Sequence, residues 1–285
     1  MAIVNVTEKR IDAGAVTLNV ATVGSGPPVL LLHGFPDSWR LWEPQLHALA
    51  DAGFRALAPD LRGYGRSDRP ADVAAYRMPA LVGDVVGLLD ALGIDRAAVV
   101  GHDWGAALAW AVAIAHPDRV DRLAVLSVGH PGANTLAGIR QRQLAWYMLW
   151  FLTPGVAETV LPQDDWAALR AWAFGGSADP GPYHRRQLQA MAEPGALQAA
   201  LAWYRANIRP DRFYTPAADP AAFPRVGCPT VGIWSEGDLF LTEEQMTGSA
   251  RWVDGPWTYL RLPGDHWIPQ SAPAEVARAL LDFLR

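Results

Sequence analysis

A chain of 285 residues with 51% hydrophobic content has enough apolar material for a large buried core, and α/β folds of this length are commonly a single unit. The net charge is only −5 and the 24 Lys and Arg residues form no run, which excludes an electrostatic footprint for nucleic acid or an anionic membrane and favours a small neutral or apolar ligand. A lone cysteine, Cys228, excludes an internal disulfide, and with neither a signal-like opening nor about 18 uninterrupted apolar residues anywhere, a cytoplasmic protein is expected.

In chain order, residues 16–23 alternate apolar and polar side chains, and residues 29–32 form a continuous apolar run after the turn Gly26-Pro27-Pro28. These predict an antiparallel edge strand followed by a buried strand. Residues 41–52 have helical spacing, 55–58 read as a short strand, and 78–92 as a helix stopped by Gly93. A strand over 97–101, a helix over 106–116 and a strand over 123–127 continue the alternation. The pattern predicts an α/β fold with a mainly parallel sheet and helices on both faces, so ligand chemistry belongs at the carboxyl ends of the strands.

From residue 131 to about 216 no strand pattern occurs, and helices are predicted over 136–152, 164–173 and 194–208. Strand character returns at 229–234 and 258–262, and residues 273–285 read as a closing helix. The expected organisation is a core made of 1–130 and 217–285, interrupted by a helical cap over 131–216. The Pro- and Ala-rich residues 217–224 would form the return hinge.

The most informative stretch is Gly101-His102-Asp103-Trp104-Gly105, between an apolar strand and an Ala-rich helix. In the G-x-S-x-G elbow the central residue sits at the tip of a tight strand-to-helix turn, and flanking glycines let strand and helix approach closely. A carboxylate at that tip is ionised at pH 7 and attacks without a base, which suits displacement at carbon and an ester intermediate. Gly237-Asp238-Leu239 and Gly264-Asp265-His266-Trp267 each follow a predicted strand, so Asp103, Asp238 and His266 occur in the order nucleophile, acid, histidine. His266 would activate water and Asp238 would orient its ring; Asp265, adjacent to His266, competes for the acid role but is badly placed to orient that imidazole. His33-Gly34-Phe35-Pro36 follows the first buried strand, so the backbone N–H groups of Phe35 and Trp104 are the candidate oxyanion hole.

These motifs, together with Asp60-Leu61-Arg62-Gly63-Tyr64-Gly65-Arg66-Ser67, resemble the α/β-hydrolase-fold epoxide hydrolases of the soluble type, over nearly the whole chain. The resemblance implies that Pro36 follows a cis peptide and that two cap tyrosines act as ring-opening acids. Tyr147, seven residues before Pro154-Gly155-Val156-Ala157-Glu158, and Tyr204 in Trp203-Tyr204-Arg205 stand at the matching positions. A phenol stays protonated at pH 7 and can hydrogen-bond an oxygen that is becoming an alkoxide. The implied partner is a small apolar epoxide; no cofactor or metal is implied, and a homodimer stays open. Haloalkane dehalogenases share the Asp-Trp pair but typically carry Asn or Glu where Phe35 stands. Haloacetate dehalogenases typically carry Arg at position 104 and a cap His-Trp pair where Tyr147-Met148 stands. A non-catalytic receptor on the same fold could dispense with Asp238 or His266. Among 13 tryptophans, Trp104, Trp146, Trp150 and Trp267 lie near predicted site elements and, with Phe35, are the expected walls of an aromatic pocket.

Overall fold

The computed structural model describes residues 5–174, 181–212 and 222–285. Its core is an eight-stranded sheet: β1 (Thr7–Asp12), β2 (Thr17–Val23), β3 (Pro28–Leu32), β4 (Arg55–Pro59), β5 (Ala97–His102), β6 (Val120–Leu126), β7 (Thr230–Gly237) and β8 (Trp257–Asp265). The strand order is β1-β2-β4-β3-β5-β6-β7-β8; β1 with β2 and β2 with β4 run antiparallel, and every other neighbouring pair is parallel. β3, and β5 up to its final His102, are apolar or small and almost wholly buried, as strands covered on both faces must be. The first strand, Thr-Glu-Lys-Arg-Ile-Asp, is not among the expected ones; it is largely exposed and is held by pairing with β2, so its sequence carries no buried stripe.

Helices α1 (Glu43–Asp51), α2 (Met78–Ala91) and α3 (Trp104–Ala115) follow β3, β4 and β5. The most apolar of them is α3, which buries residues on nearly every side and packs on both β5 and β6. Its approach depends on paired glycines. A Cβ on Gly101 would stand 2.3 Å from the Gly105 oxygen, and one on Gly105 would stand 2.1 Å from the Leu32 oxygen.

Between β6 and β7 the described residues hold seven α-helices: α4 (Pro131–Leu136), α5 (Ile139–Leu144), α6 (Trp146–Phe151), α7 (Val156–Val160), α8 (Gln163–Ala173), α9 (Gly181–Ala192) and α10 (Ala196–Asn207). The single helix expected over 136–152 is three short ones. The chain is extended at Ala137 and Gly138 and is again non-helical at Ala145, so the apolar face changes direction at each break. Helices α11 (Glu243–Gly248), α12 (Ile268–Ser271) and α13 (Pro273–Leu284) complete the fold, with α13 packed on α1. The expected 216/217 boundary and positions 217–221 of the expected hinge lie outside the described residues.

The insertion is seated through α10. The Trp203 indole N–H donates to the Arg62 carbonyl at 2.9 Å, and the Asn207 amide bonds the Tyr76 carbonyl and the Met78 N–H, each at 2.8 Å. Arg62 is itself fixed by a buried ion pair with Asp84 on α2.

Candidate active site

The carboxyl ends of β3, β5, β7 and β8 deliver four loops to one place. Asp103 stands between β5 and α3 at φ 53°, ψ −123°, a positive-φ backbone that only a well-determined surrounding maintains in a non-glycine residue. Its Oδ1 accepts the Phe35 N–H at 2.8 Å, and its Oδ2 faces His266 Nε2 at 3.6 Å. The opposite ring nitrogen, Nδ1, lies 2.9 Å from Asp238 Oδ2. Asp238 is oriented in turn, because its Oδ1 accepts the backbone N–H groups of Phe240 and Leu241 at 2.9 and 3.0 Å. Asp265, by contrast, is exposed, and its backbone N–H donates to the Ser271 hydroxyl.

The Phe35–Pro36 peptide is cis. Trp104 opens α3, so its N–H is one of the first four that no helical carbonyl accepts. Of the two expected backbone donors, the Phe35 N–H therefore points at the Asp103 carboxylate, and the Trp104 N–H adjoins Asp103 in the chain without a helical acceptor.

Electrostatics divide the site. Burial pushes the Asp103 carboxyl up, yet the hydrogen bond and charge of His266, with lesser help from His102 and the Phe35 N–H, hold it below its ordinary value. Asp238 behaves alike: burial opposes ionisation, and the charge and hydrogen bond of His266 prevail. Burial works to lower the His266 pKa, but Asp238 and Asp103 together raise it well above the ordinary imidazole range. Both candidate acids are pushed upward as well. Burial first, then the Asp103 and Asp238 carboxylates, raise Tyr147 well above the ordinary phenol; burial, then Tyr147 and Asp103, do the same to Tyr204, so both stay protonated.

Tyr147 on α6 and Tyr204 on α10 face Asp103 and His266 across one narrow cavity, whose wall also includes Phe35, Pro36, Leu169, Trp172, Ala173, Phe240 and Trp267. The two phenol rings meet edge to face with centroids 6.2 Å apart, and Tyr204 stands edge-on to Trp104 at 5.1 Å. Phe35 and Trp267 line the cavity, while Trp104 sits behind Tyr204. The expected pocket positions Trp146 and Trp150 require correction. In the six-residue α6, Tyr147 and Phe151 share the buried face one turn apart, so Trp146 and Trp150 share a neighbouring face and stack on each other at 6.3 Å, with Trp146 half exposed. Trp172 takes their place in the wall and stacks on Tyr147 at 4.8 Å.

Two polar residues of the site, His102 and Asp37, lie in or beside the motifs without a role assigned from sequence. The His102 Nε2–H donates to the His266 carbonyl at 2.7 Å, fixing the backbone that carries the histidine; burial lowers its pKa to about 4, so the ring is neutral. Asp37 is almost wholly buried and accepts from the Tyr183 hydroxyl, from Gln187 Nε2 at 2.6 Å and from the Trp267 indole at 3.1 Å. Burial raises its carboxyl to about 7 against the opposing hydrogen bonds from Tyr183 and Gln187. Nothing in local spacing reveals either residue, since every partner is distant in sequence. Among the described residues no cluster of three or more His, Cys, Asp or Glu could hold a metal ion, and no helix is long and apolar enough to cross a membrane.

The sequence profile of the alpha/beta hydrolase fold matches residues 27–269. Epoxide hydrolase A of Mycobacterium tuberculosis is 35% identical over 98% of this chain and 97% of its own, and epoxide hydrolase 2 of Siraitia grosvenorii is 33% identical over 96% and 97%. The crystal structure of epoxide hydrolase A from Mycobacterium thermoresistibile superposes with a TM-score of 0.84 at 31% identity, covering 99% of this chain and 98% of that one. The chain belongs to the α/β-hydrolase fold family, among its epoxide hydrolases.

Proposed function

We propose that the protein converts an epoxide and water to a vicinal diol through an alkyl ester on Asp103. The observation that carries this reading is the placement of two protonated phenols across one cavity from a carboxylate at the elbow. Oδ1 of Asp103 is engaged by the Phe35 N–H, which leaves Oδ2 as the attacking atom. Oδ2 forms a bond to one epoxide carbon, that C–O bond of the ring breaks, and Tyr147 or Tyr204 gives its proton to the departing oxygen. A halide would need no proton, so two buried phenols suit the epoxide better. The phenolate left behind takes the His266 proton, the freed imidazole then takes a proton from water through Nε2, and the hydroxide attacks the ester carbonyl. The N–H groups of Phe35 and Trp104 hold the resulting oxyanion, each worth roughly 3 kcal/mol to the transition state. Collapse releases the diol and restores the Asp103 carboxylate.

The aromatic wall suits a small apolar epoxide as the partner. A division into core 1–130 and 217–285 with cap 131–216 and a cytoplasmic location complete the reading; a homodimer is compatible with it. Trapping tests the reaction. His266→Gln should gain the mass of one epoxide and release no diol, and a single wild-type turnover in heavy-oxygen water should place unlabelled oxygen from Asp103 in the diol. An unmodified mass together with label in the first-turnover diol would make Asp103 a general base and sink the ester.

A further inference from the structure

Two stretches that bracket the tyrosines, Pro154-Gly155-Val156-Ala157-Glu158 and Trp203-Tyr204-Arg205, meet through one ion pair. The Arg205 guanidinium grips both oxygens of Glu158, at 2.5 and 2.9 Å, and the pair is largely buried. The same guanidinium donates through Nε to the Phe151 carbonyl at 3.0 Å and through Nη2 to the Thr153 carbonyl at 3.4 Å. Phe151 is the last residue of α6, so its carbonyl is among those a helix leaves without an internal partner, and a cation there also meets the negative end of the helix dipole. Arg205 thus joins the end of α6, which carries Tyr147, to α10, in which Tyr204 is its immediate neighbour.

A six-residue helix has no stability of its own and takes its position from its tethers. On the N-terminal side of α6 the tether is Gln141 of α5, whose side-chain amide donates to the Phe240 carbonyl at 2.8 Å and accepts from the Thr242 N–H at 2.9 Å. Those bonds reach the loop that carries Asp238. On the C-terminal side the tether is Arg205. Tyr147 lies between the two, and the Phe151 ring fills the angle between the phenols, 5.4 Å from Tyr147 and 5.0 Å from Tyr204.

We propose that Arg205 is a positioning residue for ring opening, setting the distance between the Tyr147 and Tyr204 hydroxyls by clamping the end of α6 to α10. It touches neither substrate nor reacting atoms. A planar fork is needed because three groups are held in three directions; a lysine ammonium keeps the charge and the Glu158 contact but cannot span them. The proposal rests on the reading of the tyrosines as ring-opening acids. Its signature is therefore selective. Alkylation uses both phenols, whereas hydrolysis of the ester uses His266, which Arg205 does not contact.

The test compares Arg205→Lys with its parent in both half-reactions. Alkylation is followed by rapid quench and intact mass in a His266→Gln background, and ester decay by single turnover with the native histidine. Misplacing an acid by a fraction of an ångström should slow alkylation by roughly tenfold to a hundredfold, short of complete loss of acid assistance, and leave ester decay within about twofold. Glu158→Gln, which frees the clamp at one end, should slow the same step less, and it carries the comparison if Arg205→Lys does not fold. Unchanged alkylation in both variants overturns the proposal. So does equal slowing of the two half-reactions with a lowered melting temperature, which would mark a purely structural ion pair. Tyr147→Phe and Tyr204→Phe run alongside: if these leave alkylation untouched, the acid reading itself has failed; if they slow it and the clamp variants do not, only the role of Arg205 has.

Discussion

His266 Nε2 stands 3.6 Å from Asp103 Oδ2, so in the proposed cycle the base of the second half-reaction is the counter-ion of the nucleophile in the first. While Asp103 is ionised, its charge and that of Asp238 keep the imidazole protonated. Ester formation converts the Asp103 carboxylate to a neutral group and removes one of those charges. On that cycle the histidine would be released to act as a base only once there is an ester to hydrolyse.

Asp103→Asn imitates the neutral ester at this position. Its His266 ring should titrate at lower pH than in the wild type, because one of the two carboxylates that stabilise the imidazolium is gone. Imidazole nitrogen shifts followed against pH report this directly. Superimposable titrations would show that Asp238 alone governs His266 and that the base is not switched by alkylation.

Removing either phenol should slow ring opening and removing both should nearly abolish it, since each can partly serve for the other across the cavity. General acid assistance is worth about 10²- to 10⁴-fold. The phenylalanine substitutions keep the rings and their packing, so circular dichroism should be unchanged. A Tyr147→Phe, Tyr204→Phe double variant that alkylates at nearly the wild-type rate would make the tyrosines packing residues and move a dehalogenase reading ahead.

Gly34 is required by the Asp103 side chain rather than by its own backbone. A Cβ there would stand 2.2 Å from Asp103 Oδ1 and 2.4 Å from its Cβ, so the carboxylate would have to leave the Phe35 N–H. Gly34→Ala should cost at least about a hundredfold in the rate of ester formation, the scale of a displacement of about 1 Å at a reacting centre. Retention of the wild-type rate in the folded variant would show that the Oδ1 contact does not orient Asp103.

Asp37 gives a pH signature in stability. Its carboxyl titrates near 7 when folded and near the ordinary 3.8 when unfolded, so between those values the unfolded chain releases the proton first and rising pH favours unfolding. Wild-type protein should lose stability relative to Asp37→Asn over that interval by up to about 1.4 kcal/mol per pH unit. Asp103 and Asp238, both depressed, act in the opposite sense but equally in the two proteins. Parallel urea-unfolding curves from pH 4 to 7 would contradict the raised carboxyl.

The parts of the fold that can be read from sequence are those whose signal is local. Residues 97–101, the glycines at 101 and 105 and the Ala-rich run after them state a strand, a turn and a helix within a few residues, and β5, Asp103 and α3 occur there. The choice between Asp238 and Asp265 rests on strand ends and ring geometry, and the structure places only Asp238 against His266. Trp146 and Trp150 fall outside the wall because an apolar stripe does not give the phase of a helix whose ends are unknown; three short helices stand where one is expected. The α9 residues Tyr183 and Gln187 are silent in sequence because they matter through Asp37, far away along the chain. Tyr147 and Tyr204 are identifiable through family resemblance, since a tyrosine among aromatic residues looks like packing.

The division of the cavity wall between two parts of the chain has a consequence for how such a protein could change its trade. Asp103, Asp238, His266 and the Phe35 N–H all come from loops at the sheet edge, whereas both phenols and Leu169, Trp172 and Ala173 come from helices inserted between β6 and β7. On the proposed roles, attack and hydrolysis come with the two stretches that flank the insertion and leaving-group assistance with the insertion itself. Exchanging a single continuous stretch of sequence would redirect the protein to a different class of electrophile while the covalent cycle beneath it ran as before.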